Sequence, residues 1–152
     1  MLVIRGMVEA DAVLMSEKMR RFDQEEFTAM THGTPHIDTL RQLLRGSRVA
    51  KAAYVDGELV ALYGILAKNV LSTEGHPWLA ATAMIEDRGI RRLFVKHTKR
   101  ELSGMLGGFS HLWNLVSDEN AVAIRWLKWI GFSFVGDEYA IGGMRFLKFE
   151  MR

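Results

Sequence analysis

The segment RGIRRLFVKHTKRE concentrates the side chains of this sequence that could act on a ligand. Arg88, Arg91, Arg92, Lys96, Lys99 and Arg100 occur there with no acid before Glu101. Arg88, Arg92 and Lys96 recur every four residues, so on a helix they form one stripe. Such a stripe can hold a polyphosphate or another anion by charge, and a guanidinium matches phosphate oxygens as a fork. A solvated helix face has the same pattern, and that reading stays open. A nucleic-acid surface is a third reading, disfavoured because the formal net charge is only +2, too little for a global basic field. His32, His36 and Asp38 are metal-capable types. Gly33 and Pro35 lie between the two histidines, however, and deny them helical geometry, so no metal site is expected. There is no cysteine, which removes disulfides, thiolate ligands and a cysteine nucleophile.

The elements that must position these groups follow from pattern. The chain has 152 residues, 49% hydrophobic and 25% charged, which fits one domain over 1–152 with its own core. Its first residues, MLVIRG, interrupt any apolar run with an arginine, and the apolar stretch Leu59 to Ala67 is far shorter than a membrane span. A cytoplasmic protein without a membrane span is expected. Leu2 to Arg5 reads as a strand, and Glu9 to about Met30 as one helix carrying Leu14, Met15, Met19 and Phe22. A further helix spans about Asp38 to Arg45. Asp56-Gly57, between two apolar runs, predicts a two-residue hairpin turn. Pro77 to Ile85 reads as a buried strand, and Asp87 to Met105 as a helix stopped at Gly107-Gly108. FSHLWNLV is a strand. Ser117 or Asp118 caps a helix that runs to Ile130, which Gly131 ends. Phe132 to Val135 and Met144 to Met151 close the sheet. The order is β-α-α-β-β-β-α-β-α-β-β, an α/β sheet of mixed, mostly antiparallel direction flanked by helices.

That order, together with Asn120, Ala123, Ile124, Gly131 and Phe132 in NAVAIRWLKWIGF, resembles the GNAT superfamily of N-acetyltransferases. PWLAAT, the basic helix after it, LWNLVSDEN and AIRWLKWIGFSF resemble more closely its phage internal virion protein A-like branch, over about residues 77–135. The resemblance implies a phage or prophage protein in the cytoplasm of a bacterial host, with acetyl-CoA as cofactor and an amine as acceptor. It places CoA, or another phosphorylated small molecule, along Ala83, Met84 and Ile85 and at the helix start formed by Arg88, Gly89, Arg91 and Arg92. Asn120 joins that binding set. The acceptor is expected under residues 14–44.

This sequence departs from the superfamily pattern at two places. In EDRGIR only Gly89 fits the phosphate-binding signature, because Glu86 stands where a basic or amide residue is usual and Arg91 where a small one is. Leu127 occupies the place of the general-acid tyrosine, leaving Tyr139, from a later loop, as the substitute. Glu74, His76, Glu86 and His111 are candidate bases by chain position. A different class of function is therefore also expected from the resemblance, a non-catalytic virion or morphogenesis component associated with phage structural proteins. Trp126 and Trp129 share one helix, and an exposed tryptophan there would point to a protein interface.

Overall fold

The computed structural model describes residues 1–105 and 108–152. The elements are β1 (Leu2–Gly6), α1 (Glu9–Lys18), α2 (Arg21–Thr31), α3 (His36–Gly46), β2 (Ser47–Val55), β3 (Glu58–Ala67), β4 (Glu74–Ala81), α4 (Arg88–Met105), β5 (His111–Ser117), α5 (Ala121–Ile130), β6 (Ser133–Ile141) and β7 (Met144–Met151). The strands form one sheet in the order β1-β2-β3-β4-β5-β7-β6, antiparallel everywhere except where β4 meets β5. This is the mixed α/β sheet expected from the sequence. None of the described helices is long and apolar enough to cross a membrane.

Local chemistry explains the first half of the sheet. Asp56 and Gly57 both have positive φ, +49° and +80°, which suits the right-handed twist of a hairpin and sets Val55 opposite Glu58. β3 is buried on both faces from Leu59 to Ile65, as a central strand must be. Leu62 and Ala80 pack toward Met15 of α1 and Leu40 of α3. Ala61 and Tyr63, on the opposite face, pack toward Phe94 of α4 and Trp126 of α5. The sheet is thus covered by α1–α3 on one side and by α4 and α5 on the other.

Two expected elements are corrected by one long-range contact. The helix expected over residues 9–30 is two helices, broken at Met19 and Arg20, and the strand expected to reach Ile85 stops at Ala81. Met19 pairs with Thr82 as an isolated antiparallel bridge, and the Arg20 N–H donates to the Ala81 carbonyl at 2.8 Å. The Thr82 hydroxyl donates to the Leu59 carbonyl at 2.8 Å, and the chain then makes a single 3-10 turn over Ala83–Glu86. Ala83, Met84 and Ile85 are therefore not strand residues.

A third correction concerns Tyr139, which lies within β6 opposite Phe146, not in a loop. β6 runs on to Ile141 because Gly142 and Gly143, at φ +58° and +80°, make its hairpin with β7. A side chain at Gly142 would come within 2.7 Å of the Ala29 Cα, so this turn seats α2 closely against the sheet end. Of the expected stop to α4, Gly107 lies outside the described residues, and Gly108 has φ +87°.

Candidate functional site

β4 and β5 begin as parallel neighbours and then part. Only Glu74 with His111 and Gly75 with Leu112 are paired, and beyond them the two strands diverge as a V. Side chains stitch its narrow end. The Asn114 Nδ2 donates to the Pro77 carbonyl at 2.8 Å, and the His76 Nδ1 lies 3.1 Å from the Trp113 carbonyl. A carbonyl only accepts, so Nδ1 is the donor in this contact.

The wide end is bridged by α2. The Asp23 Oδ2 accepts from the Ala81 N–H at the end of β4, 2.8 Å away. Glu26, one turn on, reaches the end of β5, where the Asn120 Nδ2 donates to it at 3.0 Å and the Ser117 backbone N–H meets the same carboxylate. Arg20 pairs with Asp23 at 3.0 Å, the two side chains being 9% and 5% exposed. Asn120, and not the Ser117 or Asp118 expected from the sequence, also caps α5, its Oδ1 accepting from the Ala123 N–H at 3.2 Å. At the other end of α5, Gly131 takes φ +115° and the Phe132 N–H closes on the Leu127 carbonyl at 2.9 Å, the stop foreseen from the Gly-Phe pair.

Between these stitches lies a cavity of about 560 Å³ that passes through the sheet. Phe27, Met30 and Leu43 line it on the α2–α3 side, and Ala123, Trp126 and Leu127 on the α5 side. Strand alternation points odd-numbered residues of β4 into the V by their backbone groups, since the Pro77 carbonyl and the Ala81 N–H and carbonyl are used there. By the same alternation the N–H and carbonyl of Leu79 face the V. The Arg20 Nε and the Trp126 Nε1 are also buried in the cavity wall without a partner. A buried donor left without a partner is unfavourable by about 1–3 kcal/mol, so the Arg20 Nε and the Trp126 Nε1 are suited to meet an acceptor on a bound group. An extended chain bearing amides would satisfy them.

The electrostatics of the wide end are distinctive. Burial pushes the Glu26 carboxyl up to about 7, opposed by Asn120 and assisted by the nearby Asp23 charge. Burial likewise raises Asp23 against the pull of Arg20. Tyr63, also in the cavity wall, donates to Glu101 at 2.7 Å. Burial and that carboxylate hold its phenol well above the usual range.

No protein-family model and no curated protein sequence matches the chain. Solved structures do match. The ribosomal-protein-S18-alanine N-acetyltransferase from Escherichia coli superposes with a TM-score of 0.70 over 99% of this chain and 93% of its own, at 16% identity. An acetyltransferase of the GNAT family from Streptococcus pneumoniae gives 0.66 over 99% of each chain, at 15% identity. An aminoglycoside acetyltransferase in complex with coenzyme A gives 0.67 over 99% of this chain and 94% of its own, at 16% identity. The fold is that of the GNAT acetyltransferases.

On this GNAT fold the residues singled out from the sequence fall into two groups. Asn120 and His76 line the cavity. Ala83, Met84, Ile85, Glu86, Arg88, Gly89, Arg91 and Arg92 lie beyond the end of β4, at the start of α4 and outside the cavity wall. That helix start is occupied from within: the Asp87 Oδ1 accepts from the Ile90 N–H at 3.0 Å, and the Arg91 guanidinium donates to the Glu86 carbonyl at 3.3 Å. Arg88, Arg92 and Lys96 are exposed. His111 is paired with Glu150 at 3.1 Å. Glu74 accepts from the Trp113 indole, which is the main cause holding its carboxyl below the usual range. Tyr139 is exposed on β6.

His32 closes α2 in a left-handed conformation, and His36 packs edge-on against Phe27. No cluster of three or more metal-capable side chains occurs among the described residues. Trp129 is 50% exposed, with the Lys99 ammonium 4.0 Å from its ring centre.

Glu26 and Arg20 were not among the residues expected from sequence. The available signal was the α2 stripe Asp23, Glu26, Phe27 and Met30 at i, i+3, i+4 and i+7, in which two acids share a face with two apolar residues. If Phe27 and Met30 face the interior, so do the carboxylates.

Proposed function

We propose that this protein is an N-acyltransferase that takes acetyl-CoA and passes its acetyl group to an amine. One observation carries the reading: the β4–β5 V opens, after two paired positions, into a cavity lined by Leu79, whose N–H and carbonyl face it by strand alternation, on a fold shared with solved acetyltransferases. The pantetheine arm contains amides of the kind those groups would bind. It would run beside His76–Leu79 of β4, in place of the Ala83–Ile85 segment expected from sequence, with the Trp126 indole as a further donor. The polyphosphate end would be held at the start of α4 by Arg88, Arg91 and Arg92, beside Gly89, with Asn120 fixing the far wall of the V. Acetyl-CoA supplies an activated thioester carbonyl. The protein's part is to hold an amine from the α2–α3 side against it and to exclude water, and such positioning can supply about 7–11 kcal/mol of the barrier.

A second reading, a non-catalytic phage virion or morphogenesis component, is favoured by a different observation. The α4 start is capped by the Asp87 carboxylate, a negative group where phosphate would be wanted, and Leu127 can donate no proton. The resemblance of residues 77–135 to the internal virion protein branch points the same way, with phage structural proteins as partners.

Titration calorimetry with acetyl-CoA separates the two. The acyltransferase reading expects micromolar binding that is lost when Ala123→Phe fills the cavity and weakened by Arg91→Glu and Arg92→Glu. Absence of binding at millimolar acetyl-CoA would leave the scaffold reading.

A further inference from the structure

We propose that the outer face of α4 and α5 binds single-stranded nucleic acid, with phosphates on Lys96, Lys99, Arg100 and Arg125 and a base stacked on Trp129. The near-neutral total charge conceals how the charges are divided. α4 and α5 together hold eight lysines and arginines and one acid, Glu101, so the rest of the chain has 12 cations against 17 acids. On the other side of the sheet, α1 and α2 carry six acids and two cations. Glu101 is itself engaged, by the Tyr63 hydroxyl at 2.7 Å and by His97 at 3.3 Å. Among the described residues no lysine or arginine of α4 or α5 is in an ion pair, whereas Arg5, Arg20, Arg21, Arg41 and Arg145 all are. The positive field of this face is therefore local and uncompensated. Acetyl-CoA would use only Arg88, Arg91 and Arg92 in the first turn. Lys99 lies about 16 Å further along the helix at 1.5 Å per residue, out of reach of a phosphate at its start.

α5 supplies the aromatic surface that α4 lacks. Phe94 of α4 is buried, whereas Trp129 of α5 is half exposed. The Phe94 and Trp126 rings join the two helices on the inner side, their centres 6.0 Å apart. On the outer side the Lys99 ammonium lies 4.0 Å from the Trp129 ring centre, so a phosphate on Lys99 brings its own base beside the indole. Lys96 and Arg100 on α4 are exposed, as is Arg125, which shares one face of α5 with Trp129 at i, i+4. Cations thus flank the ring from both helices. A positive track with an aromatic platform holds unpaired strands without reading their sequence. A duplex keeps its bases inside the stack and cannot use the platform. A lipid surface needs apolar side chains standing clear of the cations, and Leu93 and Val122 are only 51% and 36% exposed.

The test is fluorescence anisotropy of the full chain with labelled oligothymidylate and oligouridylate of about twelve nucleotides. A duplex of the same length and phosphatidylserine vesicles are the controls, and thermal unfolding checks that each variant is folded. Both strands should bind, since phosphate contact and stacking are common to them. The logarithm of the binding constant should fall with the logarithm of salt concentration at a slope of about −3, four phosphate contacts at about 0.7 each. Lys99→Gln combined with Arg125→Gln should make that slope shallower by about 1.4. Trp129→Ala should weaken both strands at least about five-fold and leave the slope unchanged, the signature of lost stacking alone, and Trp129→Phe should recover part of it. Saturating acetyl-CoA should leave strand binding unchanged. The proposal is overturned if neither strand binds, if the duplex binds as tightly, or if Trp129→Ala binds like the wild type. Displacement of the strand by acetyl-CoA would place it at the start of α4 and overturn the proposal too. Vesicle binding, or salt-sensitive self-association through the acidic α1–α2 side, in the absence of strand binding would give the face to another partner.

Discussion

Glu26→Gln should make the protein more stable above neutral pH and leave it almost unchanged in mild acid. Burial raises the Glu26 carboxyl from 4.5 to about 7. Between those values the folded protein holds a proton that the unfolded chain has lost, so stability falls as pH rises through that window and is level above it. The span, 7 minus 4.5, is 2.5 units, equivalent to about 3 kcal/mol at 1.36 kcal/mol per unit, as an order of magnitude. Glutamine keeps the shape and cannot ionise, so it removes this dependence. Urea unfolding of both proteins at pH 5 and pH 8 gives the double difference directly. The wild type should lose about 2–3 kcal/mol more than Glu26→Gln between the two pH values. A difference between the proteins that is the same at both pH values would refute the account of a desolvated carboxylate at the wide end of the V.

Asp11→Asn should destabilise at pH 7 by about 2 kcal/mol, measurable by chemical denaturation. Burial pushes the Asp11 carboxyl up, but the bonds from Arg5, Tyr54 and the Val8 N–H together outweigh it and hold it below the usual range. Its contribution is therefore present above the ordinary carboxylate range and lost in acid, opposite in sign to that of Glu26. Gly142→Ala should lower stability by about 1–2 kcal/mol in thermal melts, since φ is +58° and Ala29 leaves no room for a Cβ. Asp87→Asn keeps the cap of α4 and removes its charge. Calorimetry should show acetyl-CoA binding tightened about two- to five-fold, the equivalent of 0.3–1 kcal/mol at a helix end.

What was legible in the sequence is what is local. Asp56-Gly57 specified its turn because two adjacent residues must accept positive φ. Gly131 and Phe132 specified the end of α5 because that stop acts within one turn, whereas its cap is Asn120 and not the Ser117 or Asp118 expected from the sequence. The break at Met19–Arg20 was not legible, since helical periodicity runs through it and only the bridge to Thr82, far along the chain, interrupts it. That same bridge ended β4 early and moved the candidate ligand strand back to His76–Leu79. The opening of the V was invisible for a related reason, as strand divergence depends on pairing partners and not on composition. Glu26 was missed because its burial is imposed by Asn120, 94 residues away. The basic stripe, by contrast, was easy to see, yet it lies on the outer face of α4, and its relation to the cavity runs through the few residues at the helix start.

The most direct measurement is release of free CoA thiol from acetyl-CoA in the presence of amines, followed with a thiol-reactive chromophore. Because the chain has no cysteine, the reagent sees only the product. The account predicts thiol release that requires both the protein and an amine with an apolar body, and that disappears in Ala123→Phe. No release above the protein-free control with any such amine, from protein that binds acetyl-CoA, would contradict it.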